Sequence, residues 1–229
     1  MSKPAAPPVI AKCGVCGADV RPPFQIPSSD TSPDLDMRPG EPARSTLRKW
    51  LNVCPVCEAV APDLSRLTQA AMVGMGVPGY FTTKAPRSVM PFLRWSMLCV
   101  QTERAEALLQ AAWAADDANE KQLAAQYRKQ AAACWPEPMT IASSLRLVDV
   151  LRRAGDFDGA AVQAAALDGL DLDDSAVRLL AYQRKLIAAR DGERHLLSSA
   201  LPQPARMPHV AHVQEKQKSG GFWSWLKKR

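Results

Sequence analysis

Histidine is scarce in this chain: His195, His209 and His212 are the only three in 229 residues. No serine or cysteine is visibly paired with a histidine and an acid, so nucleophilic catalysis has no support. Phosphate-binding glycine motifs are missing too, since Gly74-x-Gly76 lacks a third glycine and a βαβ context. No stretch approaches the roughly 18 apolar residues that cross a bilayer. Met1 to Pro8 carries one lysine and several prolines but no apolar core, so it does not read as a signal peptide. These absences lead to the expectation of a non-enzymatic, cytoplasmic protein. His209-x2-His212, in a proline-flanked stretch without a further ligand, reads as adventitious metal affinity.

What the chain does have is cysteine in pairs. Cys13-Gly-Val-Cys16 and Cys54-Pro-Val-Cys57 are separated by 37 residues. Together they supply the four thiolates that a tetrahedral Zn²⁺ takes. Within each pair, backbone N–H groups can turn inward to stabilise thiolate charge. Gly14 and Gly17 ease the first turn, and Pro55 presets φ in the second, which has Glu58 where glycine would fit more easily. Two local disulfides or a redox pair are the alternatives, but neither explains why there are two such pairs. Six cysteines without an export signal also favour a reducing compartment and a metal. The expected cofactor is a structural Zn²⁺ held by Cys13, Cys16, Cys54 and Cys57. Four sulfurs leave no open coordination position for catalysis. Cys99 and Cys134 lie on helical stripes and read as small core residues.

The net charge of +6 is concentrated at one end. Residues 202–229 hold six basic side chains against Glu215 alone, leaving the preceding chain near neutral. That disfavours a basic nucleic-acid face on the body. Nucleic acid therefore ranks below protein as an expected partner, although zinc ribbons are common nucleic-acid modules.

The expected organisation is a leader at 1–11, a ribbon at 12–66, a linker at 67–91, a helical domain at 92–200 and a basic tail at 201–229. Trp50 and Leu51 are expected to pack beside the metal, and a helix to be entered at Pro62 or Asp63. The linker residues Met72, Val73, Met75 and Val77 are expected to lie against the helices. From Phe92 onward, apolar residues recur at three- and four-residue spacing. Asp117 to Glu120 has the residues of a capping box opening a second helix through Ala133. Further helices are expected over about 141–154, 157–167 and 175–190, with Gly155 ending one and Asp156 capping the next. The expected core includes Trp95, Leu98, Leu108, Trp113, Leu145, Leu151 and Phe157. The fold class is thus mainly α, with a short β ribbon at the N-terminal side. Leu151 to Ala160 resembles the turn of a tetratricopeptide repeat, where a glycine, an aromatic and a small alanine recur in that order. The lag of 39 residues from Asp117 to Asp156 exceeds the 34 of the regular repeat.

The layout as a whole resembles an uncharacterised bacterial family with an N-terminal four-cysteine zinc ribbon followed by tetratricopeptide-like helices. The matching residues are Ser32-Pro33-Asp34-Leu35-Asp36-Met37-Arg38-Pro39, Ala43-Arg44-Ser45-Thr46, Trp50, and Cys54-Pro55-Val56-Cys57 followed by Ala61-Pro62-Asp63. Glu58-Ala59 departs from the Gly-Tyr of that pattern, and the basic tail is not part of it. The resemblance implies an architecture and no reaction.

Two other features are candidates for function. Asp34, Asp36, Arg38 and Arg44 can form a polar pocket beside the ribbon, or the aspartates can cap turns and pair with nearby arginines. The spacing is not that of an EF-hand. The segment Phe222-Trp223-Ser224-Trp225-Leu226-Lys227-Lys228-Arg229 is aromatic, then basic. It suits docking into a partner or into its own helical domain, a membrane surface at the inner face, or packing back on the core. The favoured reading is a protein–protein interaction or scaffold protein. A nucleic-acid-binding ribbon or a peripheral membrane adaptor stands as the alternative.

Overall fold

Each cysteine pair occupies the turn of a minimal antiparallel hairpin, in a computed structural model that describes residues 10–201. Strands β1 (Ala11–Lys12) and β2 (Asp19–Val20) flank the first pair, and β3 (Asn52–Val53) and β4 (Val60–Ala61) flank the second. The two turns are built alike. Cys13 N–H donates to Ala18 O, and Gly17 N–H returns to Cys13 O, both at 2.8 Å. Cys54 N–H donates to Ala59 O at 2.9 Å, and Glu58 N–H to Cys54 O at 3.0 Å. Gly17 (φ +75°) and Glu58 (φ +58°) both take the left-handed conformation that closes the turn. Glu58 is braced there from the helical side: its carbonyl accepts Tyr80 Oη–H at 2.9 Å and its carboxylate pairs with Arg94 at 3.0 Å.

Asp63 caps a 3-10 turn, Leu64–Arg66, by accepting from Ser65 N–H at 3.0 Å. That turn lies across the first knuckle, where Gly14 N–H donates to Leu64 O at 2.9 Å. A Cβ on Gly14 would fall 1.8 Å from Leu67 O, so only glycine permits this approach. Cys13, Val20, Cys54, Ala59, Ala61 and Leu64 form a small core around the sulfurs.

The rest is helical: α1 (Ala71–Met75), α2 (Met90–Leu98), α3 (Gln101–Asp117), α4 (Lys121–Ala133), α5 (Ile141–Arg153), α6 (Phe157–Ala165), α7 (Asp174–Ala188) and α8 (Leu197–Ala200). From α2 to α6 each helix packs on the next, and α7 packs on both α5 and α6. Thr140, Asp156 and Asp173 cap α5, α6 and α7 through their side chains. Gly155 (φ +76°) ends α5 as expected. No described helix is long and apolar enough to cross a membrane.

Several expectations are corrected. Asp117 does not open a capping box. It is the last residue of α3, its carboxylate is taken by Arg38 at 2.6 Å, and Asn119 (φ +60°) turns the chain into α4 with Glu120 as an uncapped N-cap. The long stripe from Phe92 is broken between Leu98 and Gln101. Of the expected core, Leu108, Trp113 and Leu145 are buried, whereas Trp95, Leu98, Leu151 and Phe157 are only partly so. Of the linker residues, Met75 packs on the ribbon core, but Met72, Val73 and Val77 remain exposed.

The largest departure concerns the segment between the knuckles, which packs into the helices instead of extending the ribbon. Leu47 and Leu51 join the core formed with α2, α3 and α4, and Trp50 stands edge-on to Trp113 at 6.4 Å; neither Trp50 nor Leu51 belongs to the small core around the sulfurs. Leu35 enters a second core with Leu145, Val148, Leu180 and Leu197, where burial of such a side chain contributes about 2 kcal/mol. The backbone follows: Leu35 N–H donates to His195 O at 3.0 Å and Leu197 N–H to Pro33 O at 2.8 Å. Trp95 touches both the ribbon core and the first helical core.

Candidate metal centre and a buried arginine–aspartate cluster

All four knuckle sulfurs lie within 4.8 Å of one another. Across the knuckles, Cys13 Sγ is 3.8 Å from Cys57 Sγ, and Cys16 Sγ is 3.6 Å from Cys54 Sγ. A tetrahedron with metal–sulfur bonds of about 2.3 Å has sulfur–sulfur edges of about 3.8 Å. A disulfide needs about 2.05 Å. The four sulfurs thus lie close enough to hold one metal ion between them, and all four cysteines are free thiols.

The thiols are not equally acidic. Burial raises the Cys54 thiol, but the inward N–H groups of Cys57 and Val56 and the neighbouring thiols outweigh it and bring Cys54 down to about 7. Cys57 is pushed up to about 12 by burial and by the three sulfurs beside it. Burial also raises Cys13, against the N–H groups of Cys16 and Val15. Four thiolates this close repel one another unless a cation sits among them. Cys99 is unlike them: burial and Glu103 push its thiol up to about 12, consistent with an inert side chain. Burial likewise raises Cys134.

The second cluster is built on the inter-knuckle segment. Asp36 is completely buried, and its Oδ2 accepts from Trp113 Nε1 at 2.9 Å, Arg153 Nη1 at 3.0 Å and Arg128 Nη2 at 3.4 Å. Its Oδ1 accepts from Arg38 N–H at 3.2 Å, and its carbonyl from Arg146 Nε at 2.7 Å. Asp116 Oδ2 shares the same arginines, 2.5 Å from Arg128 and 2.8 Å from Arg153. Arg38 is buried as well and donates to Asp117 and to Trp113 O. Asp34 Oδ2 takes Arg44 at 2.9 Å, and its Oδ1 takes Arg194 at 2.8 Å.

Asp34, Asp36, Arg38 and Arg44 thus come together, but against guanidinium groups and an indole from the helices, not around an open pocket. Burial alone would raise Asp36, yet Arg153, Arg128 and the Trp113 N–H hold its carboxyl well below the ordinary 3.8. Asp116 is lowered for the same reason: burial opposes it, and Arg128 prevails. Asp149 differs. Arg152 holds its Oδ1 at 2.7 and 3.1 Å, but its buried Oδ2 has no partner, and burial raises its pKa.

Sequence reasoning missed Arg128, Arg146 and Arg153. The available signal was Arg128 in register with buried Ala124 and Ala131, a charge on an apolar helical face. His195, assigned no role from sequence, accepts or donates at both nitrogens, to Tyr182 Oη at 3.1 Å and Asp191 Oδ2 at 2.8 Å, and so fastens the turn after α7. The segment Phe222–Arg229, His209 and His212 lie outside the described residues. No protein-family model, curated protein or solved structure matches the chain.

Replacing Asp36 by asparagine leaves two buried guanidinium groups short of a counter-charge. Asp36→Asn is expected to cost about 3–5 kcal/mol in urea denaturation. A loss below about 1 kcal/mol would show that the cluster does not hold the fold. Acid should act on the same groups. Asp36 and Asp116 have folded-state pKa values below the 3.8 of the free side chain, so their contribution is complete above that value. It is lost as pH falls through the folded-state values, because the unfolded chain binds protons first. Asp149, with a raised pKa, has the opposite sign and recovers stability on acidification. Circular dichroism followed from about pH 6 downward should show stability declining below about pH 4.

Proposed function

We propose that this is a non-enzymatic, cytoplasmic interaction protein in which a structural Zn²⁺ fixes the ribbon and the helical body presents the binding surface. The observation that carries this is the way the ribbon and helices share one wall. A groove of about 1990 Å³ runs between residues 28–39, the 62–74 segment, α2–α3, the start of α5 and α8. Its lining takes in Met37 and Pro39, which flank the Asp36 cluster on the inter-knuckle segment. Zinc is favoured over other ions because four thiolates in a tetrahedral set suit it, and because a closed set serves structure more than reaction. The likeness to the bacterial ribbon-plus-helices family supports the layout, and the tetratricopeptide-like turn at Gly155 and Asp156 supports a surface of the kind that binds peptides or proteins.

Two measurements test this. Metal analysis of purified protein should give one zinc per chain, and Cys54→Ser should release it and lower the melting temperature. Zinc-free protein with unchanged stability would remove the structural role. Affinity capture should return a stoichiometric protein partner that is lost with Val73→Asp, in the groove, and kept with Val162→Asp, an exposed position on α6. Equal capture by both variants would take the partner off this surface.

A further inference from the structure

The groove has an apolar flank that nothing in the described residues covers. Helix α1 buries none of its residues. Gly74 lets it lie against the end of α2, where a Cβ would stand 2.8 Å from Leu98 Cδ2 and Met97 O. This leaves Val73 (78% exposed) and Val100 (63% exposed) both lining the groove, with Trp95 of α2 packed on the ribbon core. Such a surface loses free energy to water until something apolar lies on it. The wall also carries a charge bias, with Asp30, Asp63, Glu103 and Glu106 against Arg66 and Arg146. Arg146 is already committed to Glu106 at 2.8 Å.

We propose that the occupant is the chain's own segment Phe222–Arg229, docked in cis with its aromatic half on the Val73–Val100 flank and Lys227, Lys228 and Arg229 toward the acidic wall. Three features of the chain argue for this occupant. Leu201, the last described residue, itself lines the groove, so the following chain departs from the groove's own rim. Twenty residues, 202–221, separate it from Phe222, a chain length whose reach covers the groove from which it starts. The composition is complementary, with Phe222, Trp223, Trp225 and Leu226 apolar and the next three residues cationic. Tethering on a linker of this length gives an effective concentration near the millimolar range, so even weak contacts fill the site. This rests on the reading of the groove as a binding surface and makes the segment a competitor of any partner there.

The test uses the full-length, zinc-replete chain with a benzophenone amino acid in place of Trp225. Irradiation should give crosslinks within one chain, independent of protein concentration, mapping to residues 66–75 and 95–106. Val73→Asp together with Val100→Asp, both exposed positions, should reduce the yield at least tenfold. A fluorescent peptide of the Phe222–Arg229 sequence should bind full-length Trp223→Ala/Trp225→Ala protein at least tenfold more tightly than wild type, whose groove is filled. Crosslinks between chains would assign the segment to a second copy and overturn the proposal. So would crosslinks outside the groove, capture of the probe by anionic vesicles in preference to protein, or equal peptide binding by the two proteins. If crosslinking fails while Val73→Asp still loses the partner, the binding surface stands and the cis occupant falls. If crosslinking succeeds and partner capture fails, the reverse holds.

Discussion

A carboxylate with no exposure to water is stable only if positive charge and hydrogen-bond donors surround it, and Asp36 collects them from three helices. Trp113 comes from α3, Arg128 from α4 and Arg153 from α5, so one side chain of the inter-knuckle segment fixes the mutual placement of three helices. Apolar contacts alone would tolerate sliding. Directed bonds to a single pair of oxygens do not, because each donor has one acceptor position that suits it. The ribbon inherits this position, since its two knuckles are the ends of the segment that Asp36 holds.

The sulfur cluster and the carboxylate cluster divide the work. The first ties the two knuckles to each other, and the second ties the chain between them to the helical body. Trp95 and the Glu58 contacts to Tyr80 and Arg94 complete the seam from the other side. Met37, Pro39, Leu67 and Trp95, which adjoin these constraints, all line the groove.

Local signals in the sequence were legible. The Cys-x2-Cys spacing led to four clustered sulfurs, the sharp turns at Gly17 and Glu58 were visible as a glycine and a site that glycine would suit, and Asp63, Gly155 and Asp156 sit where capping rules put them. What could not be read was pairing across long separations. Asp34 and Asp36 were visible as candidates, and Arg44 lies only 10 residues from Asp34, but their other partners Arg128, Arg153 and Arg194 lie 92, 117 and 160 residues away, where no local pattern encodes the pairing. The same competition explains the failed capping box. Asp117 has the composition of a cap, but Arg38, 79 residues earlier, takes its carboxylate and leaves it as the end of the preceding helix. Trp50 was misplaced because aromatic bulk beside a cysteine pair says nothing about which of two cores it enters.

The short ladder between residues 33–35 and 195–197 has a consequence in time. During synthesis both knuckles are complete as soon as Cys57 and β4 have emerged, so the ribbon can close early and around a metal. Its intervening segment cannot. Pro33 and Leu35 wait for Leu197 and His195, and Asp36 waits for Arg153. Folding can thus divide into an early closure of the ribbon and a late closure of high contact order, in which the first ordered segment of the chain is also among the last to be seated.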